Sequence, residues 1–160
     1  MKGLLSGGIL LLMLLLLQTT VLSNSFLKPD GALVVTLVFA LLKGPEYGAG
    51  AGFFGGLIED GLSGFSKGGF CLIDLLTGWI IGYAAEKMNS KNFFVLIGSA
   101  AVGAALQYFG LSLYFYLSEG LKWKFHFQFL AAELALQSLL TAAAVFILRP
   151  LFSEETILLP

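Results

Sequence analysis

Apolar residues run along this chain in long blocks that short polar segments separate. The blocks predict about six helices, over residues 3–22, 29–43, 45–62, 70–85, 93–117 and 127–148. A helix that crosses a membrane needs about 20 mostly apolar residues, and most of these blocks approach that length. The pattern therefore predicts an all-α integral membrane protein, a compact helical bundle that forms a single transmembrane domain over residues 1–160.

The second predicted helix is short for a membrane span. It begins at Pro29 and Asp30, because proline suits the first helical position and an acidic residue suits the positive end of the helix dipole. It ends at Lys43, so it rises only about 22 Å at about 1.5 Å per residue. Against a hydrocarbon core of about 30 Å, three interpretations stay open: a short helix, a locally thinned bilayer or a re-entrant segment.

Small residues recur at every fourth position through the third predicted helix. Residues four apart share one helix face, which each step rotates by only about 40°. Glycines on such a face allow a second helix to approach to backbone contact, which stabilises helix pairs in lipid. We predict that this row, the glycine seam, organises the bundle or receives a partner helix. Its members are Gly44, Gly48, Gly52, Gly56, Asp60 and Gly64.

The composition supports a membrane protein and narrows its chemistry. Of 160 residues, 58% are hydrophobic and only 12% are charged, against about 25% charged in soluble domains. The net charge of −1 gives no reason to expect nucleic acid as a partner. Cys71 is the single cysteine, and we interpret it as a packing residue. His126 is the single histidine, so we expect no metal site. No phosphate loop, His–Glu metal motif or nucleophile–base pair is present, so we expect neither an enzyme nor a cofactor.

Acidic residues at membrane depth are candidates for function, because burying their charge there is expensive. Asp60 lies either at the interface or at depth. Asp74 lies four or five residues inside its predicted helix. There it either pairs with Lys67 or accepts hydrogen bonds from loop amides.

Three further polar residues fall inside the last two predicted helices. Glu133 and Gln137 are four residues apart and share a helix face. We favour a polar clamp, in which Glu133 bonds across to Gln107, over a proton relay. The intramembrane polar candidates are therefore Asp74, Gln107, Glu133 and Gln137.

The first block admits two interpretations. Lys2 and the apolar residues after it resemble a signal peptide, with a cleavage-like site near Ser23. We favour a retained first helix, because the uncharged stretch up to Lys28 can span the bilayer. Six spans place both termini on one side. That side would carry five Lys and Arg residues against four on the other, which favours cytoplasmic termini.

Several ordered motifs resemble a known family. Leu17-Gln18-Thr19-Thr20 ends the first predicted helix, Lys28-Pro29-Asp30 opens the second, and a glycine-rich segment leads to Asp60 and Gly64. Over residues 15–85 this order is similar to that of MreD, the rod shape-determining membrane protein of bacteria, although Asp74 departs from its pattern. The matching positions are Gln18, Pro29, Asp30, Gly52, Phe53, Gly56, Leu57, Asp60, Leu62, Ser63, Gly64, Gly82 and Tyr83.

The resemblance implies a non-enzymatic scaffold in the bacterial inner membrane. Such a protein belongs to the elongasome, which maintains cell shape and directs peptidoglycan biosynthesis. The implied partners are MreC and, beyond it, MreB, RodA and a penicillin-binding transpeptidase.

Two alternatives stay open beside the scaffold. The fold implied by the resemblance is similar to the substrate-binding subunit of energy-coupling-factor vitamin transporters, in which the polar candidates would line a pocket. The second alternative, a membrane enzyme, is the weakest of the three hypotheses.

Overall fold

The computed structural model describes residues 30–63, 68–88, 93–119 and 127–153. These ranges contain five helices: α1 (Gly31–Lys43), α2 (Pro45–Ser63), α3 (Gly69–Lys87), α4 (Phe93–Glu119) and α5 (Phe127–Ser153). They contain no strand, and the expected all-α fold is confirmed. The helix expected over residues 3–22 lies outside the described residues, as do Gln18, Lys28, Pro29, Gly64, Lys67 and His126.

Helix α1 forms the centre of the bundle. All residues from Gly31 to Leu41 are buried, and α1 packs against α2, α3, α4 and α5. A helix enclosed by protein need not match the thickness of the hydrocarbon core, because its neighbours and not lipid surround it. This enclosure explains how a helix of 13 residues fits within a membrane protein.

A glycine ends α1 and turns the chain into α2. Gly44 has φ 95°, a conformation that glycine adopts at little cost because it lacks a Cβ. Its N–H donates to the carbonyl of Ala40 at 3.1 Å. Gly44 was grouped with the glycine seam, but it lies between two helices, and α2 begins at Pro45.

Three other residues of the glycine seam lie directly on the backbone of α3. A Cβ at Gly48 would lie 2.6 Å from the Gly78 carbonyl oxygen, and one at Gly56 would lie 2.6 Å from Cys71 Cα. A Cβ at Gly52 would overlap the carbonyl oxygen of Asp74. The seam therefore packs against a helix of the same chain, at a distance that only glycine permits.

The outer surface of the bundle is apolar. Helix α3 (Gly69–Lys87) and the segment Phe94–Leu117 of α4 are long and apolar enough to cross a membrane. Two shorter apolar stretches are α1 (Gly31–Lys43) and the segment Leu134–Arg149 of α5. Large hydrophobic side chains are exposed on the outside, among them Phe94 and Phe146, which are 81% and 78% exposed. Such a surface suits lipid hydrocarbon, whereas a soluble protein rarely exposes so much of it.

We predict that Gly52→Ala destabilises the protein, whereas Gly50→Ala does not. The added methyl group at position 52 would meet the Asp74 carbonyl, so α2 and α3 would have to separate. Overpacking of this kind costs about 1–3 kcal/mol. A Cβ at Gly50 meets no atom within 4 Å, so that variant is the matched control. Thermal unfolding of the purified full chain in detergent measures both, and an unchanged melting temperature for Gly52→Ala would contradict close packing.

Candidate functional site

Asp30 caps the buried N-terminus of α1 and connects it to α5. Its Oδ1 accepts a hydrogen bond from the Leu33 N–H at 2.9 Å, which satisfies one of the donors that the first turn of a helix leaves unpaired. The side-chain amide of Gln137 bonds the backbone of Asp30 twice. Gln137 Oε1 accepts from the Asp30 N–H at 3.0 Å, and its Nε2 donates to the Asp30 carbonyl at 2.8 Å.

Gln107 on α4 joins the carboxylates of two other elements. Its Nε2 donates to Asp30 Oδ2 and, at 2.9 Å, to Asp74 Oδ1. A primary amide has two N–H groups, so each carboxylate receives one. Gln107 is 6% exposed and Asp74 is 0% exposed. These bonds therefore connect α1, α3 and α4 inside the protein.

Glu59 on α2 adds a third carboxylate. The carboxylate oxygens that Asp30, Glu59 and Asp74 bring together lie within 4.8 Å of one another. Asp74 Oδ2 is buried and has no hydrogen-bond partner among the described residues. We call the set Asp30, Glu59, Asp74, Gln107 and Gln137 the polar node. It joins all five described helices, and it presents acceptors that suit hydroxyl or amide donors or a cation.

Sequence reasoning missed Glu59 as a member of this site, because its neighbour Asp60 continues the glycine seam. A second row of small residues gives the signal. Ala51, Gly55 and Glu59 are also four residues apart, so they share a face next to the seam. A Cβ at Gly55 would lie 3.1 Å from Ala32 Cβ, so this face packs against α1 and directs Glu59 towards the start of that helix.

Asp60 lies beside the polar node and holds the start of α3. Its Oδ1 accepts from the Phe70 N–H at 3.2 Å, and its Oδ2 accepts from the Cys71 N–H at 3.0 Å. A carboxylate at this position satisfies free amide donors and interacts favourably with the helix dipole. Asp60 therefore contributes a helix cap and connects the end of α2 to α3.

Four of the other predicted site residues are exposed on the surface of the bundle. Phe53, Leu57 and Leu62 are exposed on α2. Tyr83 is exposed on α3 and stacks on Trp79 with ring centroids 6.0 Å apart. Gly82 is buried, and a Cβ there would lie 2.5 Å from Pro45 Cα. Ser63 and Glu133 lie in α2 and α5, but their side chains are outside the described part of the chain.

The comparisons with known proteins identify the family. The model of the family described as ECF-type riboflavin transporter, S component, matches residues 8–149. The chain belongs to this family. Proteins of this class are multi-pass components of the cytoplasmic membrane, and they form a transporter class and not an enzyme class. No curated protein and no solved structure matches the chain.

This membership overturns the resemblance to MreD. The scaffold role in cell shape and peptidoglycan biosynthesis is wrong, and so are the partners MreC, MreB, RodA and a penicillin-binding transpeptidase. The motifs misled for a physical reason. A helix start capped by Asp30, a row of packing glycines and the cap at Asp60 serve any tightly packed membrane bundle. They carry little information about the partner or the substrate.

We predict that Gln107→Leu destabilises the full chain by about 1–3 kcal/mol, because the buried carboxylate of Asp74 and the half-buried carboxylate of Asp30 each lose a donor. Ser112→Ala on the same helix is the control, since Ser112 bonds only to the Tyr108 carbonyl among described residues, at 2.7 Å. Thermal unfolding in detergent measures both variants. Equal melting temperatures for Gln107→Leu and Ser112→Ala would contradict the role of Gln107 in joining the helices.

We predict that Asp60→Ala destabilises the start of α3 by about 1 kcal/mol, the usual effect of losing a helix cap. Hydrogen exchange at the amides of Phe70 and Cys71 should speed up, because these groups donate to Asp60. Asp60→Asn keeps one acceptor oxygen and replaces the other with an NH₂ donor, so it should preserve the protection of only one of the two amides. Unchanged exchange in Asp60→Ala would show that other groups hold this end of α3.

Proposed function

We propose that this chain is the substrate-binding subunit of an energy-coupling-factor transporter that captures riboflavin or a close flavin relative. The match to the riboflavin S component family over residues 8–149 carries this proposal. It supports the vitamin-transport alternative that the sequence left open.

The polar node suits the polar part of such a substrate. Riboflavin carries a hydroxylated side chain and a ring imide, which are hydrogen-bond donors. The node concentrates carboxylate and amide oxygens that can accept hydrogen bonds from such groups. Apolar side chains fill the bundle around α1. A few polar groups in an apolar surrounding are typical of small-molecule sites, so we place the polar floor of the substrate site at this node. Asp74, Gln107 and Gln137 belong to it, and Glu133 is a further candidate on the same helix as Gln137.

The direction of capture follows from the order of the helices. Asp60 contacts the start of α3, and a Cβ at Gly82 would meet Pro45, so α2 and α3 are antiparallel. The node lies where α1 and α3 begin and α2 ends. With both termini in the cytoplasm, as the five-to-four count of basic residues favours, this end faces outward. An arriving vitamin would then meet the node end of the bundle first.

The rest of the proposal concerns how the chain works in an assembly. We propose one transmembrane domain over residues 1–160 that binds substrate and performs no chemical reaction of its own. The glycine seam and Gly82 keep α2 and α3 in contact while the bundle moves. The partner is the energy-coupling module of these transporters, which consists of ATPases and a T component. ATP hydrolysis by that module would drive release on the cytoplasmic side.

We predict that the purified full chain binds riboflavin saturably, with one molecule per chain, and that thiamine and biotin do not compete. Quenching of riboflavin fluorescence on titration with protein measures the affinity. Glu46→Gln should bind riboflavin as the wild type does, because Glu46 is exposed in the first turn of α2, far from the node. Absence of saturable riboflavin binding by well-folded protein would overturn the substrate assignment.

A further inference from the structure

The polar node concentrates negative charge inside the protein. Asp30, Glu59 and Asp74 come from three different elements, yet their nearest oxygens all lie within 4.8 Å of one another. Carboxylates this close repel one another strongly where the dielectric constant is low. The node therefore requires a compensating positive charge or a proton.

The buried carboxylate of Asp74 gives an independent indication of a ligand. Asp74 is completely buried, and its Oδ1 accepts from Gln107 at 2.9 Å. Its Oδ2 is also buried and has no hydrogen-bond partner in the part of the chain that the structure describes. A buried acceptor without a partner is costly. A cation bound between the carboxylates would satisfy this oxygen and offset the repulsion together.

The donor set selects the class of cation. All three groups are carboxylates, and hard cations prefer oxygen ligands. Ca²⁺ binds oxygen at about 2.4 Å, so two of its ligands lie at most about 4.8 Å apart. Mg²⁺ binds at about 2.1 Å and allows at most about 4.2 Å. The oxygens of the node lie within 4.8 Å of one another, a spacing that admits both ions. Three carboxylates from the protein favour Ca²⁺, because Mg²⁺ usually keeps several of its waters and binds through one or two carboxylates. Three negative charges also favour a divalent ion over Na⁺.

The hydrogen bonds within the node leave room for such an ion. Asp30 accepts from the Leu33 N–H through Oδ1 and from Gln107 through Oδ2. Each carboxylate oxygen has two lone pairs, so an oxygen that accepts one hydrogen bond can still bind a metal. Groups that bond to metal ligands in this way hold them in orientation, and Gln107 does so for Asp30 and Asp74.

We propose that Asp30, Glu59 and Asp74 together bind one divalent cation of the Ca²⁺ class. The ion joins the start of α1 to α2 and α3 at the node end of the bundle. This inference rests on the geometry of the polar node and does not require the substrate to be a flavin.

The test is direct titration of the full-length protein with CaCl₂ in the absence of riboflavin. Protein in detergent is treated with a chelator, dialysed into potassium buffer, and titrated by calorimetry and by equilibrium dialysis with radioactive calcium. We expect one Ca²⁺ per chain, with weaker binding of Mg²⁺ and Na⁺. Glu59→Gln and Asp74→Asn should each weaken Ca²⁺ binding by at least about tenfold, the scale seen when the shell of a metal site is damaged.

Glu46→Gln is the matched control for Glu59→Gln. It makes the same chemical change on the same helix, at an exposed position in the first turn, and should leave Ca²⁺ binding unchanged. Glu59 is only half-buried, so Glu59→Gln keeps the test valid even where Asp74→Asn fails to fold.

Three results would overturn the proposal. The first is no saturable Ca²⁺ uptake, which would leave the charge to be balanced by a proton or a basic side chain. The second is equal uptake by the wild type and Glu59→Gln, the sign of an adventitious surface ion. The third is tighter binding of Na⁺ or Mg²⁺ than of Ca²⁺.

Ca²⁺ uptake without riboflavin binding would overturn only the proposed function, and riboflavin binding without Ca²⁺ uptake would overturn only this inference.

Discussion

The buried N-terminus of α1 is the constraint on which the bundle depends. A helix start inside a membrane protein has amide groups that neither water nor lipid can satisfy. Each amide left unpaired in hydrocarbon costs roughly several kcal/mol, as burying any polar group without a hydrogen bond does. Asp30 meets this demand by accepting from Leu33. The same residue is then held by Gln107 and Gln137. One local requirement of a buried helix thereby brings together residues from three helices, α1, α4 and α5.

Close packing of α2 on α3 gives this arrangement its rigidity. Gly48, Gly52 and Gly56 lie against the backbone of α3, so the two helices have little freedom to slide. Asp60 bonds the start of α3 at the end of the same contact. Because Asp74 lies on the packed face, this contact also fixes the position of its carboxylate next to Asp30 and Glu59. The geometry of the polar node therefore depends on the packing of α2 against α3.

Membership of the riboflavin S component family gives the node a functional context. A substrate-binding subunit must hold a polar molecule within an apolar bundle, and a few converging polar groups are the usual solution. The residues that resembled MreD are mostly those that pack or cap helices. A resemblance based on such residues indicates how the helices pack in a membrane. Function depends instead on the ligand that the polar residues bind.

Sequence alone determined the all-α membrane fold, since long apolar blocks with few charges have few other stable structures in lipid. It also marked Asp30 as a helix start, the glycines as a packing surface, and Asp74, Gln107 and Gln137 as costly polar residues, because each of these follows from local spacing and composition. Only the tertiary structure decided that Gln107 and Gln137 bond Asp30, and that Glu59 joins Asp74. These residues are far apart in the chain, and their partners depend on how helices rotate and cross, which local periodicity does not specify. The enclosure of α1 by four helices likewise results from tertiary packing. It explains why a segment too short to span a membrane lies at the centre of the bundle.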